Sequence, residues 1–135
     1  MMNFTSFNPT SSIKVLLVED NHISRQLMSD FLIDCGYNVL SLAEAGTFTS
    51  AMTCFHPDVV LLDLKLPDGD GYTLLSHLQE KPEWRNIPVI VVSAFAFRVD
   101  QQRALELGAR RYLVKPVKLN EVMQVIQEEV ACSLV

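Results

Sequence analysis

Short runs rich in branched aliphatic residues recur along the chain at Lys14–Val18, 39–43, 59–63, Val89–Ser93 and Arg111–Val114, each followed by a stretch of helical periodicity. This alternation predicts βαβ units, and so a parallel sheet covered by helices on both faces. The run 59–63 is nearly all apolar, as a central strand buried on both faces should be. The predicted helices span 22–35, 46–55, 72–79, 99–107 and 119–130. In the first, Ile23, Leu27, Phe31 and Cys35 succeed one another by four and predict the buried stripe, and Gly36 supplies a left-handed stop. In the last, Leu119, Val122, Ile126 and Val130 follow the i, i+3, i+7, i+11 rule. Pro57, Lys81-Pro82 and Gly108 end the others, and Thr and Ser give the helix opening at Gly46-Thr47 the weakest propensity. The expected fold is an α/β domain of (βα)5 type over residues 13–131, between a loose tail, 1–12, and a short C-terminal end, 132–135.

A chain of 135 residues, 49% of them hydrophobic, is long enough for one domain with a sizeable core and too short for two ordinary ones. With 16 acidic and 11 basic residues the net charge is −5, so no basic face for direct nucleic-acid binding is expected. No apolar run approaches the roughly 18 residues of a membrane span. Met1 to Ser12 has neither the basic nor the apolar region of a signal peptide. Cys35, Cys54 and Cys132 fit neither a disulfide framework nor a zinc site, and are expected to be reduced core thiols in a cytoplasmic protein.

Polar residues stand at the carboxyl ends of four apolar runs: Glu19-Asp20, Asp63, Ser93 and Lys115-Pro116. In an open parallel sheet the crevice beyond those ends collects ligands and chemistry. Taken singly, these are ordinary residues: solvated loop acids, a turn-capping hydroxyl, an exposed ammonium. Brought together, two carboxylates about 5 Å apart repel by roughly 3 kcal/mol at an effective dielectric near 20, so such a cluster needs cations. A divalent ion and the Lys115 ammonium would balance the three carboxylates, and hard oxygen donors favour Mg2+. Beside such an ion an aspartate can attack phosphorus to form an acyl phosphate, with Lys115 neutralising one phosphoryl oxygen and Ser93 bonding another. Pro116 is expected to fix the loop geometry, its peptide bond cis or trans. His22, His56 and His77 lack metal-ligand spacing, and no role is assigned to them.

The motifs Val18-Glu19-Asp20-Asn21, Leu61-Leu62-Asp63-Leu64, Leu66-Pro67 with Gly71, Val92-Ser93-Ala94, and Tyr112 with Lys115-Pro116 stand in the order and spacing of one family. Over about residues 13 to 131 the chain resembles the receiver domain of two-component response regulators. The resemblance implies a flavodoxin-like, doubly wound sheet of order 2-1-3-4-5, for which the chemotaxis receiver is a known example. It implies Asp63 as phosphoacceptor, Asp20 as direct Mg2+ ligand, Glu19 acting through water, and the Lys65 carbonyl as a further ligand. It also implies Ser93 as switch hydroxyl beside Ala94, Tyr112 as rotating aromatic, Lys115 as phosphate-binding cation, and Pro116 and Gly71 as loop-shaping residues. The donor would be a phosphohistidine on a histidine kinase or phosphotransfer protein, docking at the first helix, where Arg25 and Gln26 are candidate contacts. Phosphorylation would draw Ser93 inward and let Tyr112 turn, remodelling the face of the fourth helix, fifth strand and fifth helix for a downstream protein. A stand-alone receiver is expected, its output passing through protein binding or onward phosphotransfer.

Two departures from the family pattern stand outside the pocket: Asp68-Gly69-Asp70-Gly71 replaces a common methionine-aspartate-glycine run, and Thr47-Phe48 replaces acidic residues after Gly46. Lys65 and Phe95 occupy positions that tune phosphate lifetime in the family, and their bulk predicts a long-lived phosphoryl form. Phe95 and Phe97 bracket the loop after the fourth strand, where two readings stand: at least one is exposed for contact with a partner, or both pack into the core. Among rival functions, a flavin or nucleotide site would need a phosphate-cradling loop where Glu19-Asp20 would repel phosphate. An aspartyl phosphatase would place a second aspartate where Lys65 stands. A docking module without phosphorylation is the remaining rival.

Overall fold

The structure, a computed structural model, describes residues 13–134, with side chains through residue 131. The expected tail, 1–12, and the Cys132 side chain lie outside the described residues. The elements run β1 Lys14–Val18, α1 His22–Asp34, β2 Asn38–Leu42, α2 Phe48–Phe55, β3 Val59–Leu62, β4 Lys65–Leu66, β5 Gly69–Asp70, α3 Gly71–Glu80, β6 Val89–Ser93, α4 Arg98–Glu106, β7 Arg111–Val114 and α5 Leu119–Leu134.

The five-stranded sheet has the order β2-β1-β3-β6-β7, every pair parallel. Counting only these strands, that is the expected 2-1-3-4-5. The second strand starts and ends one residue earlier than its apolar run suggested. An antiparallel pair, β4 with β5, lies between β3 and α3, where no strand is expected, because two-residue strands flanking Pro67-Asp68 carry no alternation signal.

Strand residues divide between two cores by the period of two. Leu16, Val18, Val60 and Leu62 face Phe48 and Met52 of α2 and Leu75 and Leu78 of α3. Val15, Leu17, Val59 and Leu61 face Met28 and Leu32 of α1 and Val122 and Ile126 of α5. Each such side chain, fully buried, contributes about 1.5–3 kcal/mol from removal of apolar surface from water.

The stripe expected on α1 is corrected at its start. Met28 and Leu32 are buried and Phe31 and Cys35 half-buried, but Ile23 and Leu27 lie on the surface, 75% and 59% exposed. Steps of four overshoot the 3.6-residue turn by about 40° each, so a row of four such positions drifts off the core face. On α5 the steps of three and four average close to 3.6, and Val122, Ile126 and Val130 are buried as expected. The reading of Cys54 as a core thiol is also corrected: it is exposed, because α2 buries Phe48, Ala51 and Met52 on its other side. Cys35 is half-buried, with its Sγ 3.4 Å from Met123 Sδ.

Helix ends follow local chemistry. The Asn21 side chain accepts from the Ser24 amide at 2.9 Å to start α1, and Asp70 does the same for Thr73 at 2.9 Å to start α3. Gly36 and Gly108 take positive φ, 99° and 109°, after α1 and α4. The stop of α2 is His56, at φ 53°, one residue before the expected Pro57, which itself disfavours helical geometry in the residue preceding it.

Candidate functional site

Parallel register brings the strand ends level. Val18 pairs with Leu62 and Leu62 with Val91, while Ser93 pairs with Val114. The next residues are held by ladder bonds of their own: Glu19 N–H donates to the Leu42 carbonyl at 3.0 Å, Asp63 N–H to Val18 at 2.9 Å and Lys115 N–H to Ser93 at 2.8 Å. Three residues from distant segments are thereby fixed at one rim by backbone alone.

Carboxylate oxygens of Glu19, Asp20 and Asp63 lie within 4.8 Å of one another. Glu19 and Asp63 are buried, and Asp20 is exposed. The Lys115 ammonium donates to Glu19 Oε1 at 2.5 Å and to Asp63 Oδ2 at 2.9 Å. Glu19 Oε2 accepts from the Asn21 amide at 3.0 Å and Asp63 Oδ1 from the Lys65 amide at 3.1 Å. Burial pushes the Glu19 carboxyl above its ordinary value, against the pull of the Lys115 and Asn21 bonds, with Asp63 repulsion adding to the rise. Burial pulls the Lys115 ammonium down, but the bonds to Glu19 and Asp63 outweigh it and leave the group raised.

The donor set fits a hard divalent cation. Three carboxylates and one ammonium leave two negative charges within a few ångströms, and every free donor is an oxygen. Asp20, whose carboxylate makes no hydrogen bond among the described residues, is the most accessible of them.

Ser93 is wholly buried at the end of β6, and its Oγ accepts from the Phe95 amide at 3.1 Å. The Tyr112 hydroxyl donates to the Phe95 carbonyl at 2.7 Å, and burial raises its pKa while the neighbouring Ser93 hydroxyl lowers it. Ser93, Phe95 and Tyr112 therefore form one hydrogen-bonded group at the pocket edge. Phe95 packs against the core, Phe97 is 76% exposed, and Ala94 is exposed. The Lys115-Pro116 peptide is cis, resolving the alternative left open by the sequence. Gly71 leaves no room for a side chain: a Cβ there would lie 2.8 Å from the Asp63 carbonyl oxygen.

Three arrangements escaped sequence reasoning. The Asp68 carboxylate takes the Ala45 and Gly46 amides, both at 2.8 Å, tying the β4–β5 turn to the loop before α2. The departure Asp68-Gly69-Asp70 thus has a structural use, since Asp68 clasps a loop and Asp70 caps α3. Tyr72 joins α3 to α4, its hydroxyl 3.1 Å from Asp100 Oδ1 and its ring 3.9 Å from the Arg103 guanidinium. Burial and the Asp100 bond push that phenol up to about 12. The third is Arg25, whose Nη1 bonds the carbonyls of Glu19 and Asp20. A capping-residue search would have found Asp70; the Asp68 clasp and the Tyr72 link depend on tertiary proximity, and the Arg25 link on the course of the chain between β1 and α1.

Such an α/β sheet with an acidic rim and an opposing lysine is the architecture of two-component signalling domains. Residues 15–127 match the response regulator receiver domain family, and the chain belongs to it. It is similar to the polar-differentiation response regulator DivK of Brucella ovis, 31% identical over 113 residues that cover 84% of this chain and 92% of that protein. Among solved structures it is similar to a CheY-like receiver domain protein from Methanospirillum hungatei JF-1, with a TM-score of 0.83, 26% identity and coverage of 90% and 95% of the two chains. It is also similar to the receiver domain of a Pseudomonas aeruginosa PAO1 sensor histidine kinase, with a TM-score of 0.81, 28% identity and coverage of 88% and 98%. That structure has a magnesium ion coordinated in its active-site cleft. Receiver domains are two-component signalling proteins rather than metabolic enzymes, and engage histidine kinases and downstream targets. No helix among the described residues is long and apolar enough to cross a membrane.

Proposed function

We propose that this receiver accepts a phosphoryl group on Asp63 from a phosphohistidine donor in a Mg2+-dependent transfer. The observation that carries the reading is the convergence of the Glu19, Asp20 and Asp63 oxygens within 4.8 Å around the Lys115 ammonium. Asp20 and Asp63, with Glu19 acting through water and the Lys65 carbonyl, would hold the ion, which supplies charge neutralisation for phosphoryl oxygens. An Asp63 carboxylate oxygen attacks phosphorus as the P–N bond to imidazole breaks, and the imidazole keeps the electron pair and takes up a proton. Lys115 already bonds Asp63 Oδ2 and is placed to neutralise a phosphoryl oxygen, and the Ser93 hydroxyl would bond another.

The donor would approach over α1. Ile23 and Leu27 offer an exposed apolar strip, and a cavity of about 430 Å³ walled by Leu27, Met28, Val117 and Leu119 opens beside Glu19 and Asp63. Drawing Ser93 toward the phosphoryl group would break or reshape its bond with Phe95 N–H, to which Tyr112 is linked through the Phe95 carbonyl. The readout would be the face of α4, β7 and α5, where Phe97, Val99 and Leu105 are exposed and available to a protein partner. Lys65 and Phe95, two residues beyond Asp63 and Ser93, would slow attack by water.

Incubation with Mg2+ and acetyl phosphate, followed by intact mass, tests the reading. One phosphoryl adduct is expected, abolished by EDTA and by Asp63→Asn. An adduct that survives Asp63→Asn would overturn it, and no adduct with either acetyl phosphate or phosphoramidate would overturn it in favour of a docking module.

A further inference from the structure

We infer that Arg25 is the positioning residue of the acidic loop, its guanidinium holding the backbone of Glu19 and Asp20 so that their carboxylates are presented to the divalent ion. The inference rests on the Mg2+ reading above. Arg25 Nη1 donates to the Glu19 carbonyl at 2.9 Å and to the Asp20 carbonyl at 3.2 Å. Its Nη2 lies 3.3 Å from His22 Nδ1. The Arg25 amide closes the first turn of α1 on the Asn21 carbonyl at 2.9 Å, and the Asn21 amide returns to Glu19 Oε2 at 3.0 Å. Residues 19 to 25 therefore form a single hydrogen-bonded unit, with one side chain spanning it.

The two carboxylates depend on this unit unequally. Glu19 has its side chain tied at both oxygens, by Lys115 and by Asn21. Asp20 is exposed and its carboxylate makes no hydrogen bond among the described residues, so its direction follows from how its own peptide is held. Arg25 grips the carbonyls of the two peptides that flank the Asp20 α-carbon. A planar fork that stays protonated at all working pH suits this task, and a flexible ammonium suits it less. The neighbouring Gln26, an expected docking contact alongside Arg25, bonds Asp30 on the exposed side and has no part in the unit.

Charge and positioning predict opposite signs. A fixed cation beside a metal site repels the metal, so removing Arg25 for its charge alone should tighten Mg2+ binding. Removing a group that orients the ligands should weaken it, about tenfold by the usual effect of residues supporting a metal's ligands. Titration of the full chain with Mg2+ by calorimetry is therefore expected to give roughly tenfold weaker binding in Arg25→Met, an intermediate loss in Arg25→Lys, and no change in Gln26→Ala. Unchanged or tighter binding in Arg25→Met overturns the inference.

A second measurement needs no metal. In EDTA, hydrogen exchange at the Asn21 and Ser24 amides should quicken in Arg25→Met and stay as in wild type in Gln26→Ala; unchanged exchange in Arg25→Met is a second way for the inference to fail. If wild type itself ignores Mg2+, the functional reading fails, and this exchange measurement still decides the role of Arg25. If Arg25→Met does not fold, Arg25→Lys decides by the same two measurements.

Discussion

Glu19→Gln keeps the side-chain volume and the acceptor for the Asn21 amide, while removing one of three clustered charges and the oxygen that accepts from Lys115. The geometry lets the terms be weighed. At 4.8 Å and an effective dielectric near 20, each like-charged neighbour repels Glu19 by about 3.5 kcal/mol or more, whereas Lys115 at 2.5 Å attracts it by about 6.6 kcal/mol. Two repulsions and one attraction nearly cancel, leaving the cost of keeping a carboxylate 6% exposed. That balance agrees with the raised Glu19 pKa, for which burial is the largest cause. Since the folded value lies above the ordinary 4.5, the folded state holds the proton more tightly, and the residue's contribution to stability falls as pH rises through the window above 4.5. Without metal, Glu19→Gln is therefore expected to be more stable than wild type at pH 7, because burial is the largest cause of the raised carboxyl, and equal to it below pH 4.5. Urea unfolding in EDTA, followed by fluorescence of the buried Trp84, reads this directly. Mg2+ at ten times its dissociation constant should return about 1.4 kcal/mol to wild type and less to the variant. Loss of more than about 1 kcal/mol by Glu19→Gln in EDTA at pH 7 would refute the reasoning, because the Lys115 pair would then dominate.

Other perturbations give distinct signatures. Gly71→Ala drives a Cβ to within 2.8 Å of the Asp63 carbonyl oxygen, and should cost about 2 kcal/mol in urea unfolding and slow phosphorylation by acetyl phosphate; wild-type stability would argue that the α3 start can shift freely. Lys65→Asn and Phe95→Ala should each shorten the life of the Asp63 phosphoryl group severalfold, measured by adduct loss after donor removal, and unchanged lifetimes would sink the shielding idea. Tyr72→Phe deletes the hydroxyl bonded to Asp100 while keeping the ring under Arg103, and should cost about 1 kcal/mol and speed amide exchange in α4.

The centre of the sheet was legible because β1, β3 and β6 are buried on both faces and so read as uninterrupted apolar runs: Val59–Leu62 is the clearest case, fully enclosed from end to end. The rim residues were legible for the same reason, since each is the first polar residue after such a run. The strand order was supplied by the family resemblance rather than by the runs themselves. Ile23 and Leu27 misled because spacing by four mimics a core stripe over two turns and departs from it over four. The Tyr72 link and the Asp68 clasp were hidden because each joins a polar side chain to partners chosen by tertiary placement, and the Arg25 link because it returns to backbone carbonyls five and six residues back; on both, local periodicity is silent. Asp68 reaches residues 22 and 23 positions away, and Tyr72 meets Asp100 at a separation of 28.

The central claim is that Asp63, Lys115 and Ser93 close on one phosphoryl-sized group beside a Mg2+ ion. A crystal structure grown with Mg2+ and beryllofluoride tests it most directly. The account predicts BeF3 on an Asp63 oxygen, contacted by the Lys115 ammonium and the Ser93 hydroxyl, with the ion on Asp20 and Asp63. Beryllofluoride absent from Asp63 in crystals that hold Mg2+, or Mg2+ bound away from the three carboxylates, would contradict it.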